Sequence, residues 1–544
     1  MAKPQSTDDY HRYCPGEEQV KISNAVCRGR RRAHFPKCNG CQFNDDEQVA
    51  RVTPTAMPVK APREVAEAAR VVNGQVVEAK RSDARIGAMF RVSDITGVTP
   101  DPLSDEAAWR IGHATAQFLR AKLRGYDRAD PDANSVFIGR DTRPDSLGIE
   151  RALVEGIRAT GTDVIMLGLI DTAQLYFAVE KTRACGGVMV SAGHQPLGEN
   201  GFRICGANAL PIGIETGLGS IRDIAVRVPK HVTGANSRRL ERDLSESYTD
   251  FVRAPLAAKT RLPRPLRVVV DASNGVAGKW FPILFRGIRN LRVTKLNFET
   301  IGEFAHEPNP LRSRCLQELR QSVREESADF GICFDAAAER CLFIDDKGRT
   351  VRPEFIIALL ARHMLNTRPG ASIVFDHRAS TVTEEEIVQS GGAAIRERIG
   401  AAYLKRAMSE NDAIFGGDLS GRLYFRENAN CESALLAFAH VVDLLMSDDH
   451  SLSDLVKPLQ RYSVSGELCY RCDNTERVLG NLEAALPKAR IERFDGVTFR
   501  FPDWWFNIRP NAAEGMLRLN VEARNRKNID EKLIVLEPFL GDRL

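Results

Sequence analysis

Short apolar runs, separated by stretches with helical spacing, recur along most of the chain. Val136-Phe137-Ile138 predicts a strand, and Ile149, Leu153 and Ile157 follow at helical intervals. Val164-Ile165-Met166-Leu167 predicts the next strand, Leu175 to Val179 the next helix, and Val188-Met189-Val190 another strand. Strands separated by helices imply parallel pairing through right-handed crossovers. The pattern restarts at Val268-Val269-Val270-Asp271, which runs into the polar turn Ser273-Asn274-Gly275. Asp329 to Phe334 is a later strand ending in an acidic turn. Phe355 to Leu365 reads as a helix and Ile373-Val374-Phe375-Asp376 as a strand. Toward the C-terminus short strands such as Val497 to Phe501 alternate with one helix near Val478 to Leu486, an α+β arrangement.

These periods predict an α/β protein. Three similar units with parallel-rich sheets fall at 84–228, 229–345 and 346–455, followed by an α+β domain at 456–544. A Cys-rich basic segment, 1–50, and a linker, 51–83, precede them; Pro54, Pro58 and Pro62 break regular structure in the linker. The 544 residues agree with this division, since domains average ~150 residues. In parallel α/β sheets, ligands sit beyond the carboxyl ends of strands, so the chemistry is expected in the turns that follow them.

Composition narrows the setting. Hydrophobic residues make up 43% and charged residues 27%, the usual mix of a soluble globular protein. The 76 basic and 72 acidic residues leave a net charge of +4, too balanced for a nucleic-acid or membrane surface over the whole chain. The polar N-terminus lacks the apolar stretch of a signal peptide. No apolar run approaches the ~20 residues that span a bilayer. A cytoplasmic location is expected, where most of the 12 cysteines stay as thiols.

Four loops carry the functional signal. Ser191-Ala192-Gly193-His194-Gln195-Pro196 follows a predicted strand, with Gly139-Arg140-Asp141-Thr142-Arg143 ahead of it and Asn200-Gly201-Phe202-Arg203 behind. Asp335-Ala336-Ala337-Ala338-Glu339-Arg340, Gly417-Asp418-Leu419-Ser420-Gly421-Arg422 and Arg509-Pro510-Asn511-Ala512-Ala513-Glu514-Gly515 follow in the later domains. In their order these loops resemble those of the α-D-phosphohexomutases, the phosphoglucomutase/phosphomannomutase family. The family's patterns are Thr-Ala-Ser-His-Asn-Pro with Asn-Gly-Phe-Lys, Asp-Gly-Asp-Ala-Asp-Arg, Gly-Glu-Met-Ser-Gly-His and Arg-Pro-Ser-Asn-Thr-Glu-Pro. The resemblance spans most of the chain after the linker and implies four domains around one central cleft.

It also implies a reaction: a phosphoserine passes its phosphoryl group to a hexose phosphate and takes another back, an intramolecular phosphotransfer (isomerase) reaction of carbohydrate metabolism that uses Mg²⁺. Gly193 stands at the serine position, and glycine has no side chain to phosphorylate. Ser191 offers a hydroxyl two residues upstream, roughly 6–7 Å away along extended chain. A misplacement of ~1 Å can cost about a hundredfold in rate. Catalysis from Ser191 therefore needs a reshaped loop; otherwise this hydroxyl satisfies loop backbone groups. His194 keeps the family's place, as a donor to phosphate or a cap on the loop.

The other loops depart in the same direction. Asp335 and Glu339 remain as Mg²⁺ ligands, but Ala337 stands between them where the family has a carboxylate; this leaves a weak metal site or a turn paired with Arg340 or its neighbours. By resemblance the substrate-binding residues are Arg340, Asp418, Ser420, Arg422, Arg509, Asn511 and Arg518. Asp418 replaces Glu and reaches less far, while Arg422 replaces His and can still meet an anion. Ala401 stands where the family has a cleft histidine, in Gly400-Ala401-Ala402-Tyr403-Leu404-Lys405, and Thr96 where it has an arginine. Asn511-Ala512-Ala513 lacks the family's two hydroxyls, but Arg509 and Arg518 remain suited to phosphate.

The changes concentrate in the cleft, while the supporting strands and turns still read well. A non-catalytic homologue, a pseudoenzyme that binds a hexose phosphate, is the first expectation. An active hexose-phosphate mutase using Ser191 or another route is the second. The third rests on the N-terminal arm. There Arg28-Gly29-Arg30-Arg31-Arg32 could grip nucleic acid or another polyanion. Beside it Cys38 and Cys41, with Cys14 and Cys27, form either a structural Zn²⁺ site or free thiols. Cys469 and Cys472 lie three apart in a predicted strand and point to opposite faces. The resemblance is compatible with a monomer or a homodimer.

Overall fold

A computed structural model describes residues 83–122, 132–229, 237–256, 261–472, 474–511 and 515–544, with the backbone of 11–13 and 21–23. The chain divides into two compact units, Met1–Gly74 and Gln75–Leu544. In the first, β1 (His11–Tyr13) pairs antiparallel with β2 (Lys21–Ser23). Cys14, Cys27, Cys38, Cys41, the Arg28–Arg32 run and the 51–82 linker lie outside the described residues.

The second unit contains four sheets. The first comprises β3 (Ile95–Val98), β4 (Ser135–Arg140), β5 (Asp163–Leu169), β6 (Gly186–Val190), β7 (Glu199–Gly206) and β8 (Arg239–Glu241), in the order β3-β7-β6-β4-β5-β8. Strands β6, β4, β5 and β8 run parallel, whereas β7 is antiparallel to both β6 and β3. Every residue of β6 is buried, as expected of a parallel strand covered on both faces. The helices Asp105–Lys122 and Ser146–Arg158 cross closely: a Cβ on Gly112 would lie 2.2 Å from the Leu153 carbonyl oxygen, and one on Gly156 2.0 Å from that of Trp109. Only glycine fits such a crossing.

The second sheet is β9 (Arg261–Asp271), β10 (Arg289–Leu296), β11 (Phe330–Phe334) and β12 (Cys341–Asp345), in the order β10-β9-β11-β12. The third is β13 (Ser372–Asp376), β14 (Ala393–Glu397), β15 (Phe415–Gly417), β16 (Leu423–Phe425) and β17 (Cys431–Glu432), in the order β14-β13-β15-β16-β17. Each has a parallel centre and an antiparallel flank, formed by β12 in one and by β16 and β17 in the other. The fourth is wholly antiparallel: β18 (Ser463–Val464), β19 (Leu468–Arg471), β20 (Arg490–Arg493), β21 (Val497–Arg500), β22 (Trp504–Asn511) and β23 (Met516–Ala523).

Three α/β units with parallel-rich sheets followed by an α+β domain is the architecture read from the periodicity, and the sheets observed agree with it apart from one detail. The sheets are parallel-rich, as expected; the difference is that each α/β sheet also ends in antiparallel strands, which the apolar runs do not mark. Periodicity reports which faces are buried and carries no information on strand direction. The difference matters because β6–β7, β11–β12 and β15–β16 are antiparallel neighbours joined by short connections. Those connections are residues 191–198, 335–340 and 418–422. The same structural element therefore presents three of the four loops singled out in the sequence.

One continuous apolar core links the three α/β sheets, and in it the Phe438 ring meets both Phe281 and Phe330. The helix Ala434–Met446 is buried almost all round, capped by the Ser433 hydroxyl on the Leu436 N–H. A separate core fills the C-terminal domain. Among the described residues no helix is long and apolar enough to cross a membrane.

Candidate functional site

The 191–196 loop leaves the end of β6 and is held from behind by one arginine. The buried Arg143 donates through Nη2 to the carbonyls of Gly193 (3.0 Å) and Gln195 (2.7 Å), and through Nη1 to those of Pro196 (2.8 Å) and Glu199 (3.1 Å). Its Nε donates to Asp141 Oδ2 at 3.1 Å. Asp141 is fully buried and also accepts from the Ser146 hydroxyl (2.7 Å) and from Ser191 Oγ (2.7 Å). Ser191 Oγ in turn accepts the Gly193 N–H at 2.9 Å. Both hydrogen-bonding roles of that hydroxyl are taken inside the loop.

Gly193 has φ +58°, and a Cβ added there would point at Glu339 Oε2, 3.6 Å away, and at Arg203 Nη2, 4.0 Å away. The loop thus aims the missing side chain at the 335–340 turn. His194 is partly buried. Burial, followed by Arg340, Arg422, Arg203 and Arg143, drives its imidazolium down to about 2. The ring is neutral at any physiological pH, with one N–H to give.

The 335–340 turn joins β11 to β12 and is buried throughout. Asp335 Oδ1 accepts the backbone N–H groups of Glu339 (2.8 Å) and Arg340 (3.3 Å). Asp335 Oδ2 has no partner among the described residues. Burial and then Glu339 raise the Asp335 carboxyl to about 6. Glu339 Oε1 accepts from Thr172 Oγ1 at 3.0 Å, while Oε2 meets Arg203 Nη1 at 2.7 Å and Arg422 Nη2 at 3.4 Å. Arg340 is buried, and burial, then Arg422, lowers its guanidinium to about 10. Among the described residues neither Arg340 Nε nor Arg422 Nε has a hydrogen-bond partner.

The 418–422 turn faces the same place. Asp418 Oδ1 accepts from the Ser420 N–H (2.8 Å), the Ser420 hydroxyl (2.5 Å) and the Arg422 N–H (3.3 Å), and Oδ2 from the Tyr424 hydroxyl (2.9 Å). Asp418 and Ser420 therefore build the turn that carries Arg422. Gly421 (φ +81°) lets this turn approach the Cys341 carbonyl, where a Cβ would sit 2.6 Å from oxygen.

Ion pairs tie the three loops together. Arg203 meets Glu432 at 3.2 Å and Asp94 at 3.7 Å besides Glu339. Lys405 Nζ lies 2.6 Å from Glu432 and 4.3 Å from the centre of the Tyr176 ring. Thr172, Tyr176 and Glu432 carry no sequence signal, since they sit in ordinary helical or strand patterns. Arg143 and Lys405 lie inside stretches read as family-like, but the partners that define their roles stand elsewhere along the chain: Gly193 is 50 residues from Arg143 and Glu432 is 27 from Lys405.

The last domain forms a second cluster. Arg509 and Arg518, opposite one another on β22 and β23, reach Glu467 at 3.2 and 3.1 Å. Arg378 from the third sheet reaches the same carboxylate at 3.2 Å and also holds Asp376. Asn511 closes β22; Ala512, Ala513 and Glu514 lie outside the described residues.

This arrangement has close relatives. The phosphoglucomutase/phosphomannomutase alpha/beta/alpha domains I, II and III match residues 87–227, 246–348 and 352–462. A phosphomannomutase of Salmonella montevideo is 32% identical over 445 residues, which cover 80% of this chain and 94% of that protein. A phosphohexose mutase of Xanthomonas campestris is 33% identical over 447 residues, covering 80% and 95%. The crystal structure of a phosphoglucomutase/phosphomannomutase family protein from Burkholderia thailandensis superimposes with a TM-score of 0.74 at 24% identity, covering 84% of this chain and 99% of that one. Matched domain by domain, and along nearly the full length of these mutases, the chain belongs to the phosphoglucomutase/phosphomannomutase family of α-D-phosphohexomutases.

Proposed function

We propose that this chain is a non-catalytic phosphohexomutase homologue that binds a hexose phosphate in the cleft. The observation that carries the reading is the pairing of an intact loop with an absent nucleophile. Arg143 still fixes four carbonyls of the 191–199 segment, yet Gly193 presents no oxygen to the turn it faces. Ser191 is a poor substitute because its hydroxyl is committed to Asp141 and the Gly193 N–H.

Phosphohexomutases are Mg²⁺-dependent, and the 335–340 turn does not fit that ion. Mg²⁺ demands several oxygen ligands in near-octahedral array. The Ala337 side chain offers none, Glu339 is engaged by Thr172, Arg203 and Arg422, and of these carboxylate oxygens Asp335 Oδ2 has no partner among the described residues. Two guanidinium groups beside Glu339 also repel a divalent cation. The Arg203 guanidinium, against both Glu339 and the open side of Gly193, stands in as the positive charge.

An anion fits better than a cation. Arg340 and Arg422 each keep a buried nitrogen without a hydrogen-bond partner among the described residues, beside the neutral His194. A phosphate group would satisfy these donors by charge-assisted hydrogen bonds, with Arg378, Arg509 and Arg518 as a second cationic cluster. In this reading Asp418 and Ser420 position Arg422 rather than touch the sugar.

The test pairs turnover with binding. Purified protein is assayed on glucose and mannose 1- and 6-phosphates with Mg²⁺ and a bisphosphate primer, beside Ser191→Ala. Calorimetry then follows the same ligands with and without EDTA. The expected result is no interconversion and saturable binding that EDTA leaves unchanged. Turnover that disappears in Ser191→Ala would make this an active mutase with Ser191 as nucleophile. Absence of both turnover and binding would end the hexose-phosphate reading.

A further inference from the structure

A second site lies in the second sheet, behind the 335–340 turn. Asp271 ends β9, and Cys333 sits beside it in parallel register on β11. His306 reaches the same point from the loop between β10 and the 3₁₀ turn Ser313–Leu316. One donor atom from each of Asp271, His306 and Cys333 lies within 4.8 Å of the other two.

The histidine is held in an unusual way. Its Nδ1 is 2.8 Å from the Glu307 carbonyl oxygen, and its Nε2 is 3.0 Å from Asp271 Oδ2. A carbonyl and a carboxylate both only accept. A neutral imidazole has one N–H and cannot serve both. With Nδ1 donating to the carbonyl, Nε2 needs either a second proton or a cation between it and the carboxylate. The backbone-carbonyl bond at one nitrogen is also the support that orients metal-binding histidines.

The remaining groups favour the cation. Asp271 Oδ1 is fixed by the Ser273 N–H (2.9 Å) and Asn297 Nδ2 (3.0 Å), which turns Oδ2 toward the histidine. Cys333 is fully buried, and among the described residues its sulfur makes long contacts: 3.5 Å to Ser273 Oγ and 3.7 Å to the Phe334 carbonyl. The Ser273 hydroxyl donates to the Phe334 carbonyl oxygen at 2.6 Å, so it is not given to sulfur.

We propose that Asp271, His306 and Cys333 bind one transition-metal ion of the Zn²⁺ class, with water in the fourth position. A mixed oxygen, nitrogen and sulfur set suits a borderline-soft ion with tetrahedral habit. Bonds of about 2.0–2.3 Å place such ligand atoms roughly 3.5 Å apart; here nitrogen and oxygen are 3.0 Å apart and all three atoms lie within 4.8 Å of one another. On binding, the Cys333 thiol proton, and any second proton on His306, leave to solvent. The partly exposed His306 edge provides the way in. The ion would join β9, β11 and the 297–309 loop, two residues ahead of Asp335. Asn274, in the turn after β9, in turn accepts from Thr142 of the first sheet at 3.0 Å.

The test uses the full chain with Cys14, Cys27, Cys38 and Cys41 changed to Ser, so that the N-terminal arm contributes no thiolate. Titration with Co²⁺ should give a sulfur-to-cobalt charge-transfer band that saturates at one ion per chain, and Zn²⁺ should displace it. A further Cys333→Ala or Cys333→Ser change should abolish the band, and His306→Gln should weaken binding at least tenfold. Far-UV circular dichroism checks that each variant is folded. No band in the parent, or a band that survives loss of Cys333 or is unaffected by His306→Gln, overturns the proposal and leaves an imidazolium–carboxylate pair.

Discussion

Arg203 Nη1 lies 2.7 Å from Glu339 Oε2, and the vacant side of Gly193 faces that same oxygen at 3.6 Å. A guanidinium and a carboxylate therefore meet where the 191–196 loop faces the 335–340 turn. Both side chains are largely buried, at 15% and 1% exposure, so neither charge is well screened by water. Removing one partner of such a pair leaves the other uncompensated, which typically costs roughly 3–5 kcal/mol. Glu339→Gln should lower unfolding free energy by an amount in the lower part of that range, because Arg203 retains Glu432 and Asp94. Urea unfolding reads the change. A loss below about 0.5 kcal/mol, the size of a surface pair, would mean that the pair is solvated.

Gly193→Ser tests whether restoring the hydroxyl restores chemistry. The Cβ finds only ordinary contacts, but φ +58° is strained for a residue with a side chain. The variant should fold with a loss of about 1 kcal/mol. It should not gain phosphate from a hexose bisphosphate in the presence of Mg²⁺, because the 335–340 turn still lacks its central carboxylate. Intact-mass spectrometry decides this, and a stoichiometric phosphorylated species would show that the turn supports phosphoryl transfer after all.

Arg143→Lys should be costly despite keeping the charge. The guanidinium divides its N–H groups among four carbonyls and Asp141, and an ammonium with three donors cannot span that fork. With net contributions of ~1 kcal/mol per bond, a loss of about 2–4 kcal/mol is expected. Hydrogen exchange should quicken at the Gly193 amide first, since its acceptor, Ser191 Oγ, hangs from the same Asp141. Unchanged exchange there would show that the loop stands without the clamp.

The Asp335 carboxyl makes stability depend on pH. Burial and Glu339 move it from its ordinary value of 3.8 up to about 6. Between those values the folded chain holds a proton that the unfolded chain has released, so its contribution to stability falls as pH rises from about 4 to about 6. Asparagine keeps an oxygen for the Glu339 and Arg340 N–H groups and never ionises. Relative to the parent, Asp335→Asn should thus be more stable at about pH 7 than at about pH 4.5. An equal difference at both pH values would show that Asp335 titrates normally.

The apolar runs and strand-end turns determined much of this by themselves. β4, β5, β6, β9, β11 and β13 each fall on a run that the periodicity marks, because burial on both faces leaves a local signature. The lack of a side chain at Gly193 is equally local, since it is read directly from the residue type. What the sequence could not decide is who meets whom. Arg203 lies 136 residues from Glu339 and 229 from Glu432, and Arg378 lies 89 residues from Glu467. Nothing in the spacing of these residues records the encounter. The antiparallel flanks were likewise undetermined, because a buried strand has the same side-chain pattern whichever way it runs. Only the packed fold turned β7, β12 and β16 antiparallel and thereby faced three loops toward one another. The same packing closed Glu339 and Asp418 into ion pairs and turns, since a buried charge must find a partner wherever the chain brings one within reach.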